Sequence, residues 1–515
     1  MIRTFLAAFL LLAAISLHAQ QLYPDNIYAD TAYAPFYYGV ASGDPLQDRV
    51  IIWTKVFVAD TSRKVPPLKW QVATDSAFKD IVTGGLVTPS KEHDYTVKVD
   101  ATGLLAGYDY YYRFQTIDRH VSQTGKCKTL PDDSVKHVKF AVVSCASIWS
   151  GYFNAYRRIA DRSDIDYLVH LGDYAYDFAD DEELRRMPAA FPKDVSTLAE
   201  WRERHTYYLL DPDLRAARQN KTWIAEWDNH DTDINDGDVK DAIKAFYEYL
   251  PIRVPDESHP ERIYRQFRFG RLADLDMIDM HLFRGKEQYA PGKGSVLGLQ
   301  QDAWLKDKLA TSQATWHLIG NQEMMGSWLS EGLPKAFHAP GNGHVFDPGN
   351  WDGYPEDRMR LYNFIDSHHI KNVVVLTGDA HMTFVIDLAK EPKNKQSYNR
   401  HTGEGAVGVE FLGPSITRGN MSDRKVVPKG SIPLVQSISN SINPHHRWVN
   451  FAKHGYFTLD VTYDRCIAEV WYAPIKERSD KEKFGKGFTV LNGVSHWERK
   501  KNPSVKKSTY PEGNK

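Results

Sequence analysis

The stretch 138-VKFAVVSCASIWSGYFNAYRRIADRSDIDYLVHLGDYAYDF-178 decides how the rest of this chain is read. It opens with an apolar, β-rich run, Val138–Val143, which stops at Ser144-Cys145. Apolar and aromatic residues then recur at three- and four-residue steps through Phe153–Ile159, which predicts a helix. A second apolar run, Tyr167–Leu171, delivers Gly172-Asp173-Tyr174-Ala175-Tyr176. Strand, crossover helix and strand make a βαβ unit, with polar residues just past both strand ends. Open α/β sheets place their chemistry there.

Working outward, the same pattern recurs. Thr222–Trp227 reads as a strand feeding Asp228-Asn229-His230, and Val373–Thr377 as a strand feeding Gly378-Asp379-Ala380-His381. Between them, Lys240–Tyr249, Leu299–Ala310 and Met359–His368 read as helices, Trp316–Gly320 as a strand, and Ile263–Phe269 with Leu272–Asp279 as a hairpin. Val407–Leu412, Gly455–Thr462 and Ile467–Trp471 return to strand character. Before the organising stretch, Val50–Trp53, Leu68–Thr74, Tyr95–Val99 and Tyr110–Gln115 are short strands separated by turn residues, the pattern of a small β-sandwich. Pro131-Asp132-Asp133-Ser134 marks a boundary. The domains expected are a sandwich over 36–131, a layered α/β domain over 136–497, and a polar tail over 498–515, Lys-, Ser- and Pro-rich, that reads as disordered.

The 515-residue chain balances 64 basic against 66 acidic residues, for a net charge of −2. No global field is available to attract nucleic acid or acidic membranes. Arg3 precedes the apolar run Phe5–Leu17, and Ala19 offers a small residue for cleavage, so residues 1–19 read as a secretory signal peptide. The run is short for a membrane span, which takes about 20 residues. Export through the general route follows, to the periplasm or beyond. Three cysteines, Cys127, Cys145 and Cys466, leave at least one thiol unpaired; Cys127 and Cys466 are the pair sequence leaves open.

Each strand-end motif alone has an ordinary reading: a buried Cys, a Gly-Asp turn, a helix cap. Together they match what a two-metal phosphoester-cleaving site needs. Asp173 supplies a carboxylate able to bridge two ions; Asn229, Asp379 and His381 supply further donors; His230 is placed to protonate a leaving oxygen.

The order Ser-Cys, Gly-Asp-Tyr-x-Tyr, Trp-Asp-Asn-His-Asp, Gly-Asp-x-His resembles the alkaline phosphatase D (PhoD-like) branch of the metallophosphoesterases. FYYGVASGDPLQDRVIIWTKV near the start is similar to that family's N-terminal Ig-like domain, and VGVEFLGPSIT and NPHHRWVNFAKHGYFTLDVTY to its closing strands. The resemblance implies a four-layer αββα sandwich preceded by a small Ig/fibronectin-like β-sandwich. It further implies a binuclear iron–calcium centre, with Cys145, Asp173, Tyr176 and His381 on one ion and Asp173, Asn229 and Asp379 on the other. The expected reaction is hydrolysis of a small phosphate ester by a metal-activated hydroxide, in a monomer. Arg284 is the candidate phosphate clamp. His281 stands where the family carries the first arginine of Asp-x-Arg-x-x-Arg, with Arg284 at the second, and is the other candidate at the phosphate. Two rival readings are a phosphodiesterase of cell-wall polymers or phospholipids, and an inactive secreted binding protein. The His338–Tyr354 loop is a candidate pocket rim, and Asn321-Gln322 a candidate extra ligand.

Overall fold

The structure, a computed structural model, describes residues 29–62, 64–179, 185, 194–232, 239–285, 295–331, 345–346 and 349–507. The leader segment, most of the His338–Tyr354 loop and residues 508–515 lie outside them.

Three parallel strands, His137–Val143, Tyr167–Leu171 and Thr222–Glu226, run side by side at the centre of the molecule. The helix Asn154–Ala160 crosses over between the first two, as the apolar spacing predicts. Alternation along the first strand sorts its side chains. Val138, Phe140 and Val142 point into one core, where with Val169, Leu171 and Ile224 they meet Leu318, Val374, Leu376 and Phe411 of a second sheet. Ala141, Val143 and Leu168 face the other way, onto Phe153, Tyr156 and Ile159 around the crossover helix. Behind the second sheet, Ile319, Val373 and Val375 pack on Leu305, Leu361 and Ile365 of the helices Gly298–Thr311 and Pro355–Ser367. The result is helix, sheet, sheet, helix. Each buried Leu, Ile, Val or Phe contributes about 1.5–3 kcal/mol relative to exposure.

Ala273–Met277, Trp316–Asn321 and Val373–Thr377 are likewise parallel. Several carboxyl ends therefore gather at one rim. The hairpin expected around Gly270 is present, Arg265–Phe269 pairing antiparallel with Ala273–Met277.

The N-terminal strands do not stand apart from this core. Val40–Gly43, Arg49–Lys55 and Thr96–Thr102 extend the ten-stranded sheet, with Val40–Gly43 lying parallel to Thr222–Glu226. A four-stranded sheet containing Leu68–Ala73 and Asp109–Gln115 covers them, over a core of Val50, Ile52, Val72, Tyr112 and Phe114. Glycine at position 43 permits the junction, because a Cβ there would sit 2.6 Å from the carbonyl oxygens of Trp223 and Pro251.

One expectation needs correction, and one question the sequence leaves open is answered. The tail read as disordered from residue 498 is ordered through 507. Glu498–Lys500 adds a strand to the ten-stranded sheet, Lys500 pairs with Glu469 at 2.8 Å, and the Lys506 ammonium lies 3.6 Å from the centre of the Trp471 ring. Its lysines meet buried partners that composition does not reveal. Secondly, Cys127 and Cys466 form no disulfide. All three thiols are free and buried, Cys127 in the sandwich core and Cys466 between the two large sheets.

Candidate metal centre

The site is assembled from backbone first. Past their strands, the Ser144-Cys145 and Gly172-Asp173 turns bond to each other: Cys145 N–H donates to Gly172 O at 3.1 Å, and Ala146 N–H to Asp173 O at 2.9 Å. Gly172, at φ +97°, lies so close to the next turn that a Cβ would stand 2.4 Å from Asp228 Cβ. Gly378 permits the same approach from the other sheet, its absent Cβ being 2.8 Å from Ser144 Cβ and Oγ. Four of the candidate ligands adopt left-handed backbone: Cys145 (φ +58°), Asp173 (+54°), Asp379 (+53°) and His381 (+57°). Such a conformation costs an L-residue about 1–2 kcal/mol, and such costs gather where geometry serves function.

Side chains then converge. Donor atoms of Cys145, Asp173 and His381 all lie within 4.8 Å of one another. The Tyr176 hydroxyl donates to Asp173 Oδ2 at 2.7 Å and stands 3.5 Å from His381 Nε2. Cys145 Sγ is 3.9 Å from the carbonyl oxygen of Asp379. Asn229 follows Asp228 on the adjoining turn, half-buried, its backbone N–H held by Asp228 Oδ1 at 2.8 Å. Cys145, Asp173, Tyr176 and His381 thus come together, while the Asp379 carboxylate and the Asn229 side chain are not part of that cluster among the described contacts.

Electrostatics favour a cation here. Burial pushes the Cys145 thiol well up, and Asp173, Asp379 and Asp228 push it further. Burial and then Asp173 do the same to the Tyr176 phenol. Asp228 is raised by burial and by Asp173 and Asp379, and its Oδ2 is buried without a hydrogen-bond partner. Without a cation, anionic donors packed this closely repel and hold protons instead. Thiol, phenol, imidazole and carboxylate are donors that suit transition metals and calcium. The residues brought together, Cys145, Asp173, Tyr176 and His381, fit a metal ion.

His230 sits beside this cluster. Its backbone N–H donates to Asp173 Oδ1 at 3.3 Å, and its Nδ1 is 2.7 Å from Asp177 Oδ1. The ring lies 4.7 Å from that of Tyr176 and edge-on to Phe178 at 5.0 Å. Burial lowers its pKa, but Asp173 and Asp177 outweigh that and raise it to about 9.

The alkaline phosphatase D of Bacillus subtilis (strain 168) is 32% identical over 481 residues, spanning 85% of this chain and 78% of that protein. The model of the PhoD-like phosphatases matches residues 140–470, and that of their N-terminal domain residues 22–131. The chain belongs to the PhoD-like phosphatase family. It is therefore a phosphoric ester hydrolase by family, and the fold agrees: the solved structure of PhoD superposes with a TM-score of 0.78 at 28% identity, covering 92% of this chain and 94% of that one.

Two site residues expected of this PhoD-like phosphatase stand differently from their assigned roles. Arg284 is committed to Glu323, at 3.2 and 3.3 Å from its two oxygens, and to Gly349 O at 2.8 Å. His281 is buried against Asp228, with Glu323 at 3.6 Å. Asn321 and Gln322 are structural: the Gln322 amide donates to Trp227 O and Ile278 O, and Asn321 to Thr377 Oγ1.

Other residues matter more than their motifs suggest. The Asp231 carboxylate accepts from the N–H groups of Tyr174 (3.2 Å), Ala175 (2.9 Å) and Asp228 (3.0 Å), tying two strand-end turns together. Buried His170, whose pKa burial lowers to about 3, is neutral; its Nδ1 accepts from Gly172 N–H at 3.3 Å and its Nε2 meets Tyr156 Oη at 2.9 Å. The single signal for either in the sequence is proximity to a ligand.

Proposed function

We propose that the protein is an exported metallophosphatase that hydrolyses small phosphate esters at a two-ion centre built on Asp173. The convergence of Cys145, Asp173 and His381 within 4.8 Å carries this reading. Cys145, Asp173, Tyr176 and His381 would hold one ion; Asp173, Asn229 and Asp379 would hold the other. Sulfur and phenolate donors favour iron at the first position, and the oxygen-rich second position favours calcium. When bound, the ions supply Lewis acidity toward phosphoryl oxygens and make water a competent nucleophile near neutral pH.

The chain's own residues do the rest. Asp173 Oδ1 is held by the His230 backbone N–H, while the Tyr176 Oη–H that donates to Oδ2 carries the proton the phenol would give up on taking an ion. His230 is anchored through Nδ1 on Asp177, which leaves Nε2 to give a proton to the departing oxygen. The Tyr176 and Phe178 rings flank its imidazole and hold it in place. Export rests on the Arg3 to Ala19 leader pattern; in addition, no helix among the described residues is long and apolar enough to cross a membrane.

The test is metal analysis of protein purified without chelator, as wild type and Cys145→Ala, alongside release of p-nitrophenol from p-nitrophenyl phosphate and bis-p-nitrophenyl phosphate. The expected result is metal in the wild type, lost with activity in the variant. Unchanged metal content and turnover in Cys145→Ala would refute the ligand assignment. The two substrates separate monoester from diester preference.

A further inference from the structure

With Arg284 tied to Glu323, the cationic groups that face the cluster come from a different segment, the one that follows the strand Ala406–Leu412. Its backbone is pinned to the candidate ligands. Ile416 N–H donates to Ser144 O at 3.0 Å, and the N–H groups of Thr417 and Arg418 both donate to Cys145 O, at 3.3 and 3.2 Å. From this attachment the Arg418 guanidinium lies over the rings of Tyr176 (5.2 Å) and Phe178 (5.3 Å), the same rings that flank His230. Arg424, an exposed residue, brings Nη2 to 3.3 Å from His381 Nδ1. Among the described residues Arg424 pairs with no carboxylate.

A buried polar relay holds the segment in this shape. Ser415 Oγ donates its one proton to Arg418 O at 2.6 Å, so His454 Nδ1, 3.0 Å away, is the donor to Oγ. On the other side His454 Nε2 meets Asp423 Oδ2 at 2.7 Å. Arg424 N–H donates to Asn420 O at 3.0 Å. Asp423, the carboxylate next to Arg424 in sequence, is thereby turned to His454 and does not neutralise it. His454 is a positioning residue: through Ser415 and Asp423 it fastens both ends of the turn that carries the two arginines.

We propose that Arg418 and Arg424 form the subsite for the anionic oxygens of the phosphoryl group, held in register by the Ser415–His454–Asp423 relay. This rests on the phosphatase reading for its ligand. Two guanidiniums beside the candidate metal site match the charge of a phosphoryl dianion, and planar N–H forks match its oxygens.

The experiment is calorimetric titration of inorganic phosphate into metal-loaded wild type, Arg424→Gln, Arg424→Lys, Arg418→Gln and His454→Gln, with metal content measured on each. Arg424 is exposed, so its variants test the subsite even where the Arg418 or His454 variants fold poorly. The expected result is a Kd for phosphate weakened about tenfold or more in Arg424→Gln, partly recovered in Arg424→Lys, with metal content unchanged. Weakening below threefold in Arg424→Gln overturns the proposal. So does loss of metal in parallel, which would make Arg424 a support for His381, and so does a wild type that binds no phosphate. A wild type that binds phosphate in this Arg424-dependent way but hydrolyses neither p-nitrophenyl substrate refutes the phosphatase reading and leaves the subsite standing.

Discussion

Replacing Gly172 with alanine tests whether the centre depends on two strand-end turns touching. The added Cβ would lie 2.4 Å from Asp228 Cβ, 2.6 Å from Asp228 N and 2.7 Å from Trp227 C. Ordinary carbon contacts are about 3.5–4.0 Å, so the turns must separate by roughly 1 Å. The neighbours are backbone and a Cβ, and none can swing away. A left-handed φ adds about 1–2 kcal/mol, and overpacking about 1–3 kcal/mol, for a total of about 2–5 kcal/mol. A functional cost adds to the stability cost, because the displaced segments carry Asp173 on one side and Asn229 on the other. A misplacement of about 1 Å can cost about 100-fold in rate. Gly103→Ala is the control: φ is +83°, but nothing lies within 4 Å of its Cβ position, so strain enters without collision. Thermal unfolding, metal content and p-nitrophenyl phosphate turnover should show both variants destabilised and Gly172→Ala alone inactive and depleted of metal. A Gly172→Ala protein with metal and turnover within threefold of wild type would refute the account.

Arg284→Met should leave phosphate affinity within about threefold of wild type while lowering the melting temperature, because Glu323 loses its arginine partner; a tenfold loss of phosphate affinity would return Arg284 to the role of clamp. Asp164 is held by Arg162 at 2.6 Å and Lys139 at 2.9 Å. Burial raises its pKa, but these two partners outweigh that and hold it below the usual carboxylate value. Its stabilisation is therefore present above the unfolded pKa of about 3.9 and is lost as pH falls through the lower folded value. Urea titrations should show Asp164→Asn less stable than wild type at pH 6, with the gap shrinking below about pH 4; a gap that stays constant down to pH 3 would contradict this.

What the sequence discloses here follows the range of the interaction. Val138–Val143 and Tyr167–Leu171 are legible because burial on both faces demands an unbroken apolar run, and the structure returns them as His137–Val143 and Tyr167–Leu171. The candidate ligands are legible because each ends such a run beside a residue with turn chemistry. Arg284 and His281 show the limit. Their types suit phosphate, but whether an arginine faces substrate or a buried carboxylate depends on Glu323, some forty residues away and on a different strand end. Arg418 and Arg424 are the converse case. They lie in a polar stretch with no periodicity, and only the pinning of Thr417 and Arg418 to Cys145 O brings them to the centre. His454 is legible from neither side, since its partners Ser415 and Asp423 become neighbours only once the strands Ala406–Leu412 and Gly455–Thr462 have taken their places in two different sheets. The types of the candidate ligands are thus local information and the charge balance around them is not, which is why the proposed anion subsite, rather than the candidate ligands, had to be read from the fold.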